Sequence, residues 1–158
     1  MRGAIAGVET VNAKVLRPLH LGHLASAHAS LGQVEVGLDL LCEAIQTLEK
    51  TGERFFEAEL HRLRGGMCLT SGKEVEAEAA LKRGLEVARL QEARLWELRA
   101  ATSLAHLWRD QGRSPEARDL LAPVYEWFTE GFDLPDLENA RALLDELIRA
   151  SPKIGRSE

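Results

Sequence analysis

Three glycines, Gly32, Gly72 and Gly112, recur every 40 residues, and the sequence around each follows one plan. Five residues after each stands a small residue (Gly37, Ala77, Ala117), and nine after each stands a leucine (Leu41, Leu81, Leu121). A stretch with helical periodicity precedes each glycine and another follows it. Self-similarity at a fixed interval of about 20–50 residues marks repeat architectures, in which one unit cannot bury its apolar face alone and stacks on its neighbours. The unit here is helix–glycine–helix, and the predicted fold is all-α, a solenoid of helical hairpins. Such an architecture supplies a binding surface more readily than a reaction.

In the first repeat, Leu21, Leu24, Ala25, His28 and Leu31 form one helical face, and Val34, Leu38, Leu41, Ile45 and Leu48 form the next. Gly32 closes the first helix and Gly52 the second, because glycine accepts the left-handed conformation that ends a helix. The second repeat pairs Leu60, Leu63 and Met67 with Ala77, Leu81, Leu85 and Ala88. The third pairs Leu95, Trp96, Ala100, Ala101, Leu104, Ala105, Leu107 and Trp108 with Leu120, Leu121, Val124, Tyr125 and Phe128. Ser114 is expected to cap that last helix, with Pro115 at its first position, where the missing N–H costs nothing. Pro123 lies inside the stripe and is expected to kink the helix or delay its start.

The expected boundaries are repeats at 16–54, 55–94 and 95–132, then a C-terminal capping helix at 134–150. That helix carries Leu137, Ala140, Leu143, Leu144, Leu147 and Ile148 on one face and Glu138, Arg141, Asp145 and Arg149 on the other. Residues 151–158 read as a flexible tail. Residues 1–15 read as the remnant of an earlier repeat's second helix, with 13–18 as the join. A solenoid cut there would expose an apolar face, so the chain is expected to belong to something longer.

Composition narrows the function. The 158 residues are 45% hydrophobic and 28% charged, the balance of a globular domain. A net charge of −5 argues against a nucleic-acid partner, since phosphate recognition needs clustered Lys and Arg. No run of 18 apolar residues occurs, so no membrane span is expected. Cys42 and Cys68 lack metal-ligand spacing and read as reduced, partly buried thiols, which favours a cytoplasmic protein. His20, His23 and His28 are the nearest approach to a metal cluster. However, the 100° helical step turns His28 away from His23, and no carboxylate stands near to complete a site. No phosphate-binding loop, nucleophile elbow or dinucleotide fingerprint is present. No metal, no cofactor and no catalytic residue is therefore expected. His61 and His106 read as surface or groove contacts. Trp96, Trp108 and Trp127 read as core or interface residues before ligand cages.

The glycine, the small residue five later, the leucine four beyond it and the small residue at Ala44, Gly84 and Val124 together resemble the tetratricopeptide repeat. So do Ala25, Gly65 and Ala105, seven before each glycine, where that family lets two helices approach closely. The period of 40 is longer than the family's usual one and resembles the longer-helix variety of bacterial regulators. The segment Gly52-Glu53-Arg54-Phe55-Phe56-Glu57-Ala58-Glu59-Leu60-His61-Arg62-Leu63-Arg64-Gly65 is similar to the C-terminal repeats of large bacterial proteins with an adenylate/guanylate cyclase-like or ATPase portion. Leu98 to Ala105 and Gly131 to Leu137 look alike in the same way. The resemblance implies a right-handed α–α superhelix of three helix pairs plus a cap, and nothing in these residues would perform the chemistry of a cyclase or ATPase. Arg64 departs from the pattern, since Leu24 and Leu104 hold its position in the other repeats. Either Leu63 takes its place or Arg64 snorkels.

In that family the first helix of each pair lines a concave groove. Carried over by position, the partner-binding residues are Leu19, Gly22 and Ser26, then Glu59, Arg62 and Gly66, then Arg99, Thr102, His106 and Arg109. Guanidinium forks suit carboxylates, so an acidic segment of a protein or peptide is the expected ligand, alongside other domains of a longer parent chain. The competing reading pairs these arginines with Glu59, Glu97 and Asp110. The expected function is a non-catalytic protein–protein interaction module in a signalling or regulatory protein. The alternatives are a small-molecule sensor in the concavity and a homo-oligomerisation domain, with a homodimer as a partner state.

Overall fold

A computed structural model of the chain describes the backbone of residues 2–150 and the side chains of residues 16–150. The residues read as a tail, 151–158, lie outside it. The described residues are all-α, in seven helices: α1 (Arg2–Ser30), α2 (Val34–Thr51), α3 (Glu57–Thr70), α4 (Glu74–Leu90), α5 (Arg94–Asp110), α6 (Ser114–Glu126) and α7 (Pro135–Ala150). No helix is long and apolar enough to cross a membrane among these residues. They fall into two compact units that divide between Val87 and Ala88.

The glycines at the 40-residue interval set the hairpins. Gly32, Gly72 and Gly112 have φ of 79°, 71° and 76°, the left-handed region that glycine enters without a Cβ penalty. Each turn is the same double hydrogen bond. Gln33 N donates to His28 O (2.9 Å) and Gly32 N to Ala29 O (3.0 Å), and the same two bonds recur at Lys73/Gly72 and Arg113/Gly112. This pattern satisfies two orphan carbonyls at a helix end. Gln33 and Arg113 each donate the bond that closes one helix and serve as N-cap of the next. Consequently Ser114, expected as a cap, is the first residue of α6, and no side chain caps that helix. The turn is so short that one residue does both jobs and leaves no place for a separate capping side chain.

A fourth turn of this kind has no glycine. Ala93 N donates to Ala88 O (2.9 Å) and Glu92 N to Arg89 O (3.1 Å), with Glu92 at φ 53°. Glu92 stands 40 residues after Gly52, whose φ is 72°.

Burial follows the same register. Leu41, Leu81 and Leu121 are wholly buried, as are Ala25, Ala105, Ala44, Ala77 and Ala117. Their register mates Gly37, Gly65 and Gly84 are buried too. Within the first unit the reason is close approach between the helices of a pair. A Cβ on Gly65 would sit 2.5 Å from Leu81 Cγ, and one on Gly37 would sit 2.9 Å from Ala25 O. The core there gathers Ala25, Leu41, Ala44, Leu48, Leu60 and Met67. Leu63 packs against that cluster and Arg64 is exposed, so Leu63 takes the core place. In the second unit α7 packs on both α5 and α6. It buries Leu137, Ala140, Leu143, Leu144 and Leu147, while Glu138, Arg141, Asp145 and Arg149 are exposed. Ile148 also lies exposed, unlike the rest of its expected stripe.

Two prolines lie inside helices. α1 runs without a break through 13–18, with Pro18 wholly buried, and α6 runs through Pro123. Cys68 is buried and Cys42 is exposed, so only one of the two thiols is shielded.

Candidate functional site

The residues carried over as a groove fall in both units. In the first, Leu19, Gly22 and Ser26 lie on α1, and Glu59, Arg62 and Gly66 lie on α3, which packs against α1. Gly22 is a packing position, since a Cβ there would meet Leu60 Cδ2 at 2.8 Å. The Ser26 hydroxyl donates to Gly22 O (3.1 Å). At Gly66 the opposite holds, because a Cβ would meet nothing within 4 Å. Beside it Arg62 grips Glu59 with Nε and Nη2, both at 2.7 Å, and both side chains are half-buried.

In the second unit, Arg99, Thr102, His106 and Arg109 all lie on α5. Thr102 is buried and donates its hydroxyl to Leu98 O (2.7 Å). Arg99 forks onto Asp136 of α7, with Nε 2.9 Å from each oxygen. Arg109 pairs with Asp110 (2.8 Å) and with Glu146 (3.0 Å). His106 is half-buried. Each arginine thus holds a carboxylate. For Arg62 and Arg109 the partners include the neighbours expected from sequence. Arg99 instead reaches α7, while Glu97 receives Arg89 and Arg94, both at 2.9 Å. The three tryptophans also lie in this unit, each beneath a guanidinium: Arg99 over Trp96 (5.3 Å), Arg113 over Trp108 (4.6 Å) and Arg94 over Trp127 (4.8 Å). Such stacking contributes about 0.5–1 kcal/mol per exposed pair.

A second feature of the first unit escaped the sequence reading. A cavity of about 170 Å³ is lined by Ile45, Leu48 and Glu49 of α2, by Arg54 in the connection before α3, by Glu57 and His61 of α3, and by Arg83 of α4. His61, read as a surface or groove residue, is only 9% exposed, and its Nδ1 has no hydrogen-bond partner among the described residues. Burial pushes its pKa below the usual imidazole range; Glu57 opposes that shift and Arg83 and Arg64 assist it. Glu57 holds one oxygen toward Arg54 (3.2 Å) and the other toward Arg83 (3.4 Å). Both contacts exceed the 2.7–2.9 Å usual for charge-assisted bonds.

Gly84 makes room for this arrangement. A Cβ there would lie 2.9 Å from Ala58 O and 3.4 Å from His61 Cβ. The 40-residue register was the available signal, because Arg54 and Glu57 recur as Arg94 and Glu97 while His61 recurs as Ala101. Positions 17 and 43 hold the same pairing with its charges reversed, since Arg17 binds Glu43 where Glu57 binds Arg83. Among the described residues no three His, Cys, Asp or Glu side chains group as a metal site.

Compared with known proteins, the chain matches no family model and no curated sequence.

Proposed function

We propose that the chain is a non-catalytic interaction module, a tetratricopeptide-like solenoid of three helix pairs and a cap within a larger cytoplasmic signalling or regulatory protein. It presents the first helix of each pair to a protein or peptide. The observation that carries this reading is the shared register of hairpin turns, of buried small residues at 25/65/105 and 37/77/117, and of buried leucines at 41/81/121. Helices held by lateral packing leave one face uncommitted, and a rigid preformed face lowers the ordering cost of binding.

The half-buried forks Arg62–Glu59 and Arg99–Asp136 support an acidic ligand. Each guanidinium is already oriented for a carboxylate, and a ligand carboxylate takes the place of the internal one with little rearrangement. The open space above Gly66 leaves room for the ligand backbone beside Arg62.

The test is selection of acidic peptides on the full chain, followed by affinity measurement with Arg62→Glu, Arg99→Glu and Arg109→Glu. Charge reversal is expected to weaken the selected peptides by about tenfold or more per site, about 1.4 kcal/mol. Unchanged affinity in all three variants would remove the groove from the proposal.

A further inference from the structure

The cavity at His61 lies within the first unit and is not lined by Arg62, so it carries an inference independent of peptide binding. Its walls sort by chemistry. Ile45 and Leu48 form an apolar side, Arg54 and Arg83 supply two positive charges, and Glu49 and Glu57 supply two negative ones. A lone anion entering it would meet Glu49, and a lone amine would meet the guanidinium groups. A dipolar molecule meets both favourably. We propose that this cavity binds a small zwitterion of α-amino-acid size, its carboxylate toward Arg54 and Arg83, its ammonium toward Glu49 and Glu57, and its side chain against Ile45 and Leu48.

The volume agrees with that class. About 170 Å³ is close to the roughly 150 Å³ of an engineered cavity that admits benzene, so ligands of about six to nine non-hydrogen atoms fit. His61 supports it in another way. A nine-tenths buried imidazole with an unpartnered nitrogen costs free energy, and such groups are rare unless something uses them. Held neutral by its surroundings, the imidazole lines the cavity as an uncharged hydrogen-bonding group.

The repeat supplies an internal control. Forty residues on, Glu49, His61 and Arg83 are replaced by Arg89, Ala101 and Pro123, while Arg54 and Glu57 persist as Arg94 and Glu97. There Arg89 and Arg94 close on Glu97 at 2.9 Å each, against 3.2 and 3.4 Å at Glu57. A hairpin of this frame therefore does without the imidazole and the extra carboxylate. Neither His61 nor Glu49 is a requirement of folding.

The experiment is a titration of the full chain, followed by the His61 Cε1–Hε1 resonance and by calorimetry. The probes are L-valine, 3-methylbutanoate (the same skeleton without the ammonium) and isobutylamine (without the carboxylate). L-Valine is expected to shift the His61 signal with a Kd of about 1 mM or tighter. The two truncated probes are expected to bind at least tenfold more weakly. Glu49→Arg, which installs the residue found at position 89, and Arg83→Gln are each expected to weaken L-valine tenfold or more while the circular dichroism spectrum is retained. No His61 shift with L-valine at about 10 mM would overturn the proposal. So would equal binding of 3-methylbutanoate, or unchanged binding in Glu49→Arg. The probe comparison on the unaltered chain decides the matter even where a variant fails to fold.

Discussion

The hairpins α3–α4 and α5–α6 are built on one frame and filled in opposite ways. Both have a wholly buried leucine, Leu81 or Leu121, and a left-handed glycine at the turn. Both place a buried glutamate in the first turn of the first helix, Glu57 or Glu97, beneath an arginine three residues earlier. Against this common background the sizes trade places. Repeat two combines His61 with Gly84, and repeat three combines Ala101 with Val124. Charge differs as well, since Arg89 pairs with Glu97 whereas its register mate Glu49 lines the same cavity as Glu57. The backbone frame thus depends on a few small and leucine positions. Residues around the buried glutamate are free to vary, and in repeat two they open a polar cavity.

Substitutions test this contrast. The largest effect belongs to the shared frame: Leu81→Ala and Leu121→Ala are each expected to cost about 3 kcal/mol in urea unfolding. A several-fold smaller loss at one of them would mean that the two hairpins are not equivalent. Next, Gly84→Val inserts the repeat-three residue against Ala58 O and His61, at an expected cost of about 2–3 kcal/mol. Adding His61→Ala should recover about 1 kcal/mol of it, a coupling that a double-mutant cycle reads directly. Glu92→Gly relieves a left-handed glutamate and is expected to stabilise by about 1 kcal/mol, whereas Gly72→Ala should destabilise by a similar amount.

The smallest effect is on pH dependence. The folded-state pKa of His61 is lowered from 6.5 by burial, so the unfolded chain binds the proton more readily. Above 6.5 the residue is neutral in both states and contributes no slope. As pH falls below 6.5 toward the folded value, the unfolded state gains protons first and stability declines. His61→Ala should flatten that part of the stability profile, and an unchanged slope would contradict a buried neutral imidazole.

Much of the frame was legible because glycine and small residues leave positional marks. Gly32, Gly72 and Gly112 had to be turns, and Ala25, Gly65 and Ala105 had to be contacts, once a period of 40 was seen. The turn at Glu92 was not legible, because nothing in a glutamate signals positive φ; only its distance of 40 from Gly52 does. The direction of Arg99 was missed for a different reason. Sequence neighbours such as Glu97 were the natural partners, but Asp136 lies 37 residues away on α7 and only packing brings it within reach. His61 was hidden because its burial depends on what α4 omits, a side chain at Gly84.

The common frame is tested most directly by methyl-to-proton contacts in nuclear magnetic resonance of the full chain. Gly65 Hα should contact the Leu81 methyl groups, and the same contact should recur one period to either side, Ala25 to Leu41 and Ala105 to Leu121. Three contacts in register are the expected result. Leu121 methyl groups that approach other parts of α5 and never Ala105 would contradict a hairpin repeated every 40 residues.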